Sequence, residues 1–222
     1  MSHYFGFVPS DKLKQLIEDA AQALASEEHV EYYLHRDALT HQTARDLIDN
    51  LLVGLVEIIP NPEQQASMRK IVGTIERSAD TLLNILLNKE NNEDVMPSFT
   101  FLRDRATFTD NEGVSRVGYK LPENSAQKII EGFAAVTPDN VDMSKLKLAL
   151  ETMNEETLSH FISRYAETLK LGIIKRKSVP VAKAAIDKGM SMALNKLLPG
   201  LPVDSLNRLA DYYRPFIVEK AD

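Results

Sequence analysis

Two apolar stripes at helical spacing, residues 41–59 and 62–88, meet at Ile59-Pro60-Asn61-Pro62-Glu63, and no other stretch limits the fold as much. Asn61 is a good helix N-cap, and Pro62 suits a first helical turn, where its missing N–H costs nothing. Before the junction, Ala44, Leu47, Ile48, Leu51, Leu52, Leu55 and Ile59 follow the helical period. After it, Ile71, Val72, Ile75, Ala79, Leu82, Leu83 and Leu86 do the same. The pattern predicts a mainly α protein: a helical bundle built on a long antiparallel helical hairpin whose two stripes bury each other.

A chain of 222 residues can bury a core without disulfides or metal. Its complete lack of cysteine excludes disulfide staples, thiolate zinc sites, iron–sulfur clusters and cysteine nucleophiles. Asp49, Glu57, Arg69 and Glu76 interrupt the most apolar region, so no transmembrane segment is expected. The opening Met1-Ser2-His3-Tyr4-Phe5-Gly6 lacks the basic and apolar run of a secretory leader, and together these features predict a cytoplasmic protein.

Around the hairpin, Ser10 is expected to cap a helix through Leu24, and Ser26 one carrying Val30, Tyr33, Leu34 and Ala38. Residues 88–98 are polar and broken by Pro97, the composition of a mobile linker. Phe99, Phe101, Thr107 and Phe108, then Val114, Val117 and Tyr119, flank Asp110-Asn111-Glu112-Gly113, which predicts a short β-hairpin or extended insertion around 99–121. Further on, Asn154 reads as the cap of a helix that Gly172 ends, and the next helix is expected over residues 180–198. The resulting organisation is an N-terminal helical lobe (1–90), a linker plus β-like insertion (91–121) and a C-terminal helical lobe (122–222), with one continuous core as the alternative.

Charge is unevenly spread. The net charge is −6, yet residues 170–196 hold Lys170, Lys175, Arg176, Lys177, Lys183, Lys188 and Lys196 against Asp187 alone. Lys175-Arg176-Lys177 is read as a basic loop leading into a helix N-terminus, a candidate anion-binding site for the phosphates of nucleic acid or of an anionic membrane. The same loop could instead meet acidic protein surface, within the chain or across a dimer. In the following helix Ala185, Gly189 and Ala193 place small side chains at close-packing intervals.

Catalytic signatures are sparse. Arg36-Asp37-Ala38-Leu39-Thr40-His41 has the spacing R-x4-H, and these six residues resemble the short motif of HEPN-type ribonucleases. The resemblance implies that Arg36 would hold a scissile phosphate and His41 would transfer a proton. Five residues turn a helix by roughly 140° net, so convergence would need a kink or a second subunit. His29, His35 and His41 are evenly spaced, but steps of six residues point successive side chains to different faces, so no metal site is expected. No P-loop, dinucleotide-binding turn, nucleophile elbow or H-E-x-x-H is present, and no cofactor is expected. The sequence therefore predicts a non-enzymatic interaction or scaffold protein acting on a protein partner or on itself. A helical nuclease or nucleic-acid-binding factor using Arg36, His41 and the basic loop is the alternative.

Overall fold

The helical periodicity becomes a mainly helical chain carrying a small antiparallel sheet. The computed structural model describes residues 1–26 and 30–221. In chain order the elements are β1 (Ser2–Phe7), α1 (Asp11–Ala25), α2 (Tyr32–Ile48), α3 (Gly54–Ile58), α4 (Pro62–Leu86) and α5 (Asn92–Asp104). There follow β2 (Thr107–Thr109), β3 (Ser115–Lys120), α6 (Glu123–Ala134), β4 (Val136–Thr137), β5 (Asn140–Val141), α7 (Met143–Leu158) and α8 (Tyr165–Glu167). The chain closes with α9 (Ile173–Leu197), α10 (Val203–Tyr213) and β6 (Ile217–Lys220).

Local capping explains several boundaries. The Ser10 side chain accepts from Leu13 N, and Ser10 itself donates from its N and Oγ to Asp46 at 2.8 and 3.0 Å, tying the start of α1 to α2. At the junction, Asn61 Oδ1 accepts from the amides of Glu63 and Gln64 with Pro62 at the first helical position. Ser26 falls at the end of α1, where the sequence expected it to open a helix; α2 instead starts at Tyr32, and Glu27, Glu28 and His29 lie outside the described residues.

α4 packs most extensively on α9, antiparallel to it, as well as on α2 and α3. Two π-helical segments interrupt the long helices: Asp49–Val53 joins α2 to α3, and Ser159–Arg164 joins α7 to α8. Each adds a residue to the turn and shifts the side chains beyond it around the axis. Between α2, α4, α7 and α9 lies a partly open, mainly apolar cavity of about 120 Å³.

The sheet has the order β2-β3-β1-β6, antiparallel throughout, so the two chain ends pair with each other. Phe5 lies opposite both Tyr119 and Ile217, and Ser2 opposite Lys220. Gly118 permits the close approach of β3 to β1, because a Cβ there would sit 1.9 Å from the Phe5 carbonyl oxygen. The expected hairpin turn is present: Asp110 Oδ1 accepts from the amides of Glu112 and Val114, and Gly113 takes the left-handed φ of 80°.

Other expectations are corrected. The linker over 88–98 gives way to α5, capped by Asn91 and holding Phe99 and Phe101 as buried helical residues rather than strand. Asn154 is buried in mid-helix and bonds Asp187, while Gly172, at φ −67°, precedes α9 instead of ending a helix. α9 begins at Ile173, not at 180. Pro97 and Pro180 both sit inside helices on the exposed side, where the carbonyl each leaves unpaired can reach water.

Candidate functional site

Because α9 starts early, Lys175, Arg176 and Lys177 occupy its first turns rather than a loop. Cations there oppose the helix dipole, which favours negative charge at an N-terminus. Two neighbours are anchored within the chain: Lys170 Nζ pairs with Asp94 at 2.8 Å, and Lys175 Nζ donates to Asn88 Oδ1 at 2.6 Å. The side chains of Arg176, Lys177, Lys183 and Lys188 make no hydrogen bond or ion pair among the described residues.

One side of α9 buries Val179, Ile186, Ala193, Leu194 and Leu197. Of the small-residue stripe, Ala193 is buried and Gly189 faces α4, where a Cβ would meet Ile75 Cγ1 at 3.1 Å; Ala185 is exposed. The opposite side is unusual. Ile174, Lys177, Val181, Ala185, Lys188 and Met192 fall within roughly 80° of one another at the helical repeat. Ile173 and Ile174 are 78% and 86% exposed and Val181 70%. The exposed face of this helix is thus both aliphatic and cationic, and Asp187, the one acid in α9, bonds the Asn154 amide instead of neutralising it.

The R-x4-H pair separates. Arg36 is fully buried, donating from Nε to Asp37 Oδ1 (2.7 Å), from Nη1 to Glu90 Oε2 (2.5 Å) and from Nη2 to the Asn88 carbonyl (2.6 Å). Burial alone would lower its pKa, but the bonds to Glu90 and Asp37 outweigh it and raise it. His41 is partly exposed, with Nδ1 3.9 Å from Asp80 Oδ1 on α4. Neither side chain lines the central cavity. Among the described residues no group of three or more His, Asp or Glu is placed to hold a metal ion, and His29 lies outside them.

His160 is the polar group that sequence reasoning passed over. It is 4% exposed in the second π segment, and Glu156, four residues earlier, accepts from Ser125 Oγ instead of meeting it. Its ring stacks on Tyr119 at 4.5 Å and 16°, and neither nitrogen has a hydrogen-bond partner. Burial first, then the charge of Arg164, holds its pKa down at about 4. No local sequence signal distinguishes this histidine from a surface one, since its burial follows from the π register.

No protein-family profile matches the chain, and neither a curated protein nor a solved structure shows significant similarity to it.

Proposed function

We propose that this chain is a non-enzymatic interaction protein that docks through the exposed side of α9, and that the surface it meets there is an anionic lipid membrane. The single observation behind the reading is the aliphatic and cationic face of Ile173, Ile174, Lys177, Val181, Lys188 and Met192 on one helix. Among the described residues no helix is long and apolar enough to cross a membrane, so contact would be peripheral. The 41–59/62–88 hairpin serves as the scaffold that holds α9 in place.

Three arguments favour lipid. Two copies meeting through this face would set Lys177 and Lys188 against themselves, which disfavours symmetric self-association. Protein interfaces are anchored by aromatic and arginine side chains and are depleted in lysine, whereas this face is lysine and aliphatic residues without an aromatic ring. An anionic bilayer accepts both kinds of group: about 1 kcal/mol per cation at the surface, plus about 1.5 kcal/mol for each aliphatic side chain that inserts. Lys177 and Lys188 with two or three aliphatic groups give about 5–6.5 kcal/mol, an affinity on the order of 100 μM. Anionic lipid is concentrated on cytoplasmic leaflets, so the expected cytoplasmic location belongs to the same proposal.

The test is sedimentation with phosphatidylcholine vesicles, with and without phosphatidylserine. We expect binding only to the anionic vesicles, weakened by salt, and lost both in the Lys175, Arg176 and Lys177 triple alanine variant and in Ile174→Ser. Binding to neither vesicle, or undiminished binding by Ile174→Ser, rejects the membrane reading. Salt-sensitive binding to single-stranded RNA, with cleavage abolished by His41→Ala, would replace it with the nuclease alternative. Against that alternative stands Arg36, whose three nitrogens are all committed to Asp37, Glu90 and Asn88.

A further inference from the structure

Independently of the membrane reading, we infer that the central cavity is a binding site for a small uncharged apolar molecule of single-ring or short-chain size. Apolar cavities of about 150 Å³ remain dry and take up benzene, and this one, at about 120 Å³, is of the same order.

Two features distinguish it from an ordinary packing fault. The first is that both π segments contribute to its wall: Leu51 and Leu52 come from one, Phe161 and Ile162 from the other. A π turn is rare because it is unfavourable, and it is found mostly where a function retains it. Here both turns swing side chains around the same void. The second feature is the state of the polar groups that reach the wall. Thr40 Oγ1 donates to the Arg36 carbonyl and lies 2.7 Å from the Tyr165 hydroxyl. Thr157 Oγ1 bonds the Met153 carbonyl and the Tyr119 hydroxyl, and the Asn154 amide bonds Asp187. These groups are satisfied by the protein itself, Thr43 adds one uncharged hydroxyl with no side-chain partner among the described residues, and no Lys, Arg, Asp or Glu lines the cavity. An occupant therefore gains nothing by carrying charge and would lose its hydration on entry. The void selects for apolar shape.

Toluene is the probe, titrated into the full chain while the methyl resonance of Met190, which lines the cavity, is followed together with the melting temperature. The expected result is a saturable shift of the Met190 signal and a rise in melting temperature that grows with toluene concentration. Benzoate, of similar shape but charged, should produce neither. Ala79→Leu fills the space from α4 and should weaken toluene binding at least tenfold; Ala44→Leu fills it from α2 and serves if the first variant does not fold. An unmoved Met190 signal in the wild-type protein, equal binding of benzoate, or undiminished toluene binding in the folded filled variant each overturns the inference.

Discussion

Arg36 on α2 and His160 in the second π segment are both buried among the helices, and they carry their polarity in opposite ways. Arg36 reaches the interior with three partners, Asp37, Glu90 and the Asn88 carbonyl, and stays charged. His160 reaches it with none and stays neutral, packed as an aromatic ring between Tyr119, Phe101 and Phe161. A charge survives burial only with its counter-charges, while an imidazole can give up its charge instead. One arrangement is held by partners and the other by protonation state, and the two should fail under different challenges.

The largest effect is expected from Arg36→Leu. The substitution leaves Glu90, whose side chain is only 12% exposed, beside Asp37 with no cation, and breaking a largely buried pair from one side costs about 3 kcal/mol. Urea denaturation at neutral pH measures it. A loss below about 1 kcal/mol would mean that water already compensates Glu90, and the contrast with His160 would disappear.

The His160 challenge is acid. Its ordinary pKa of 6.5 falls to about 4 in the folded chain, so above pH 6.5 both states are neutral and the stabilising contribution is complete. As pH falls from 6.5 to 4 the unfolded chain takes up a proton that the folded chain refuses, and about 3 kcal/mol is lost. Carboxylates titrate in the same region, so the informative quantity is the difference from His160→Phe, which keeps the ring packing. That variant should have a flatter stability profile between pH 6.5 and 4. Parallel profiles would show that His160 takes its proton inside the fold.

How far these sites could be read in advance depended on how local their causes are. Asn61 capping α4 and Gly113 closing the β2–β3 turn were legible because each is decided within four residues. β1 and β6 were missed although Tyr4, Phe5 and Phe7, and Ile217 and Val218, are strand formers, because each strand finds its partner at the far end of the chain. α5 and the start of α9 were obscured by Pro97 and Pro180, whose helix-breaking tendency yields where the flanking turns bury Val95, Phe99 and Val179. The cations of α9 were visible as a cluster, but their shared face with Ile174 and Val181 depended on a helix start the proline concealed. The environments of Arg36 and His160 were not legible at all, since one rests on the distant Asn88–Glu90 segment and the other on a π turn.

Thr40→Val makes a second unpartnered group by design. The valine fills nearly the same space but removes the hydroxyl 2.7 Å from Tyr165 Oη, leaving a fully buried phenol without that bond. An unsatisfied buried hydroxyl costs about 1–3 kcal/mol, less than the loss at Arg36. The measurement is again the urea midpoint at neutral pH, where Tyr165 is uncharged because burial raises its pKa. A neutral outcome would indicate that this interior accepts orphaned polar groups at no cost, and His160 would then need no special account.

The smallest effect is expected from Lys170→Ala, which removes an ion pair of good length, 2.8 Å to Asp94, from the surface. The pair resembles that of Arg36 in chemistry and differs in setting: Lys170 is 70% exposed, so water and salt screen the attraction and hydrate either charge when its partner is gone. No carboxylate is stranded as Glu90 is at Arg36, because Asp94 keeps access to solvent and also accepts from the Asn91 side chain. The urea midpoint should therefore stay where it is, at low and at high salt. A marked loss at low salt that vanishes at high salt would mean that Lys170 holds α5 against the start of α9 electrostatically, and burial would then cease to be what separates a structural ion pair from an incidental one in this protein.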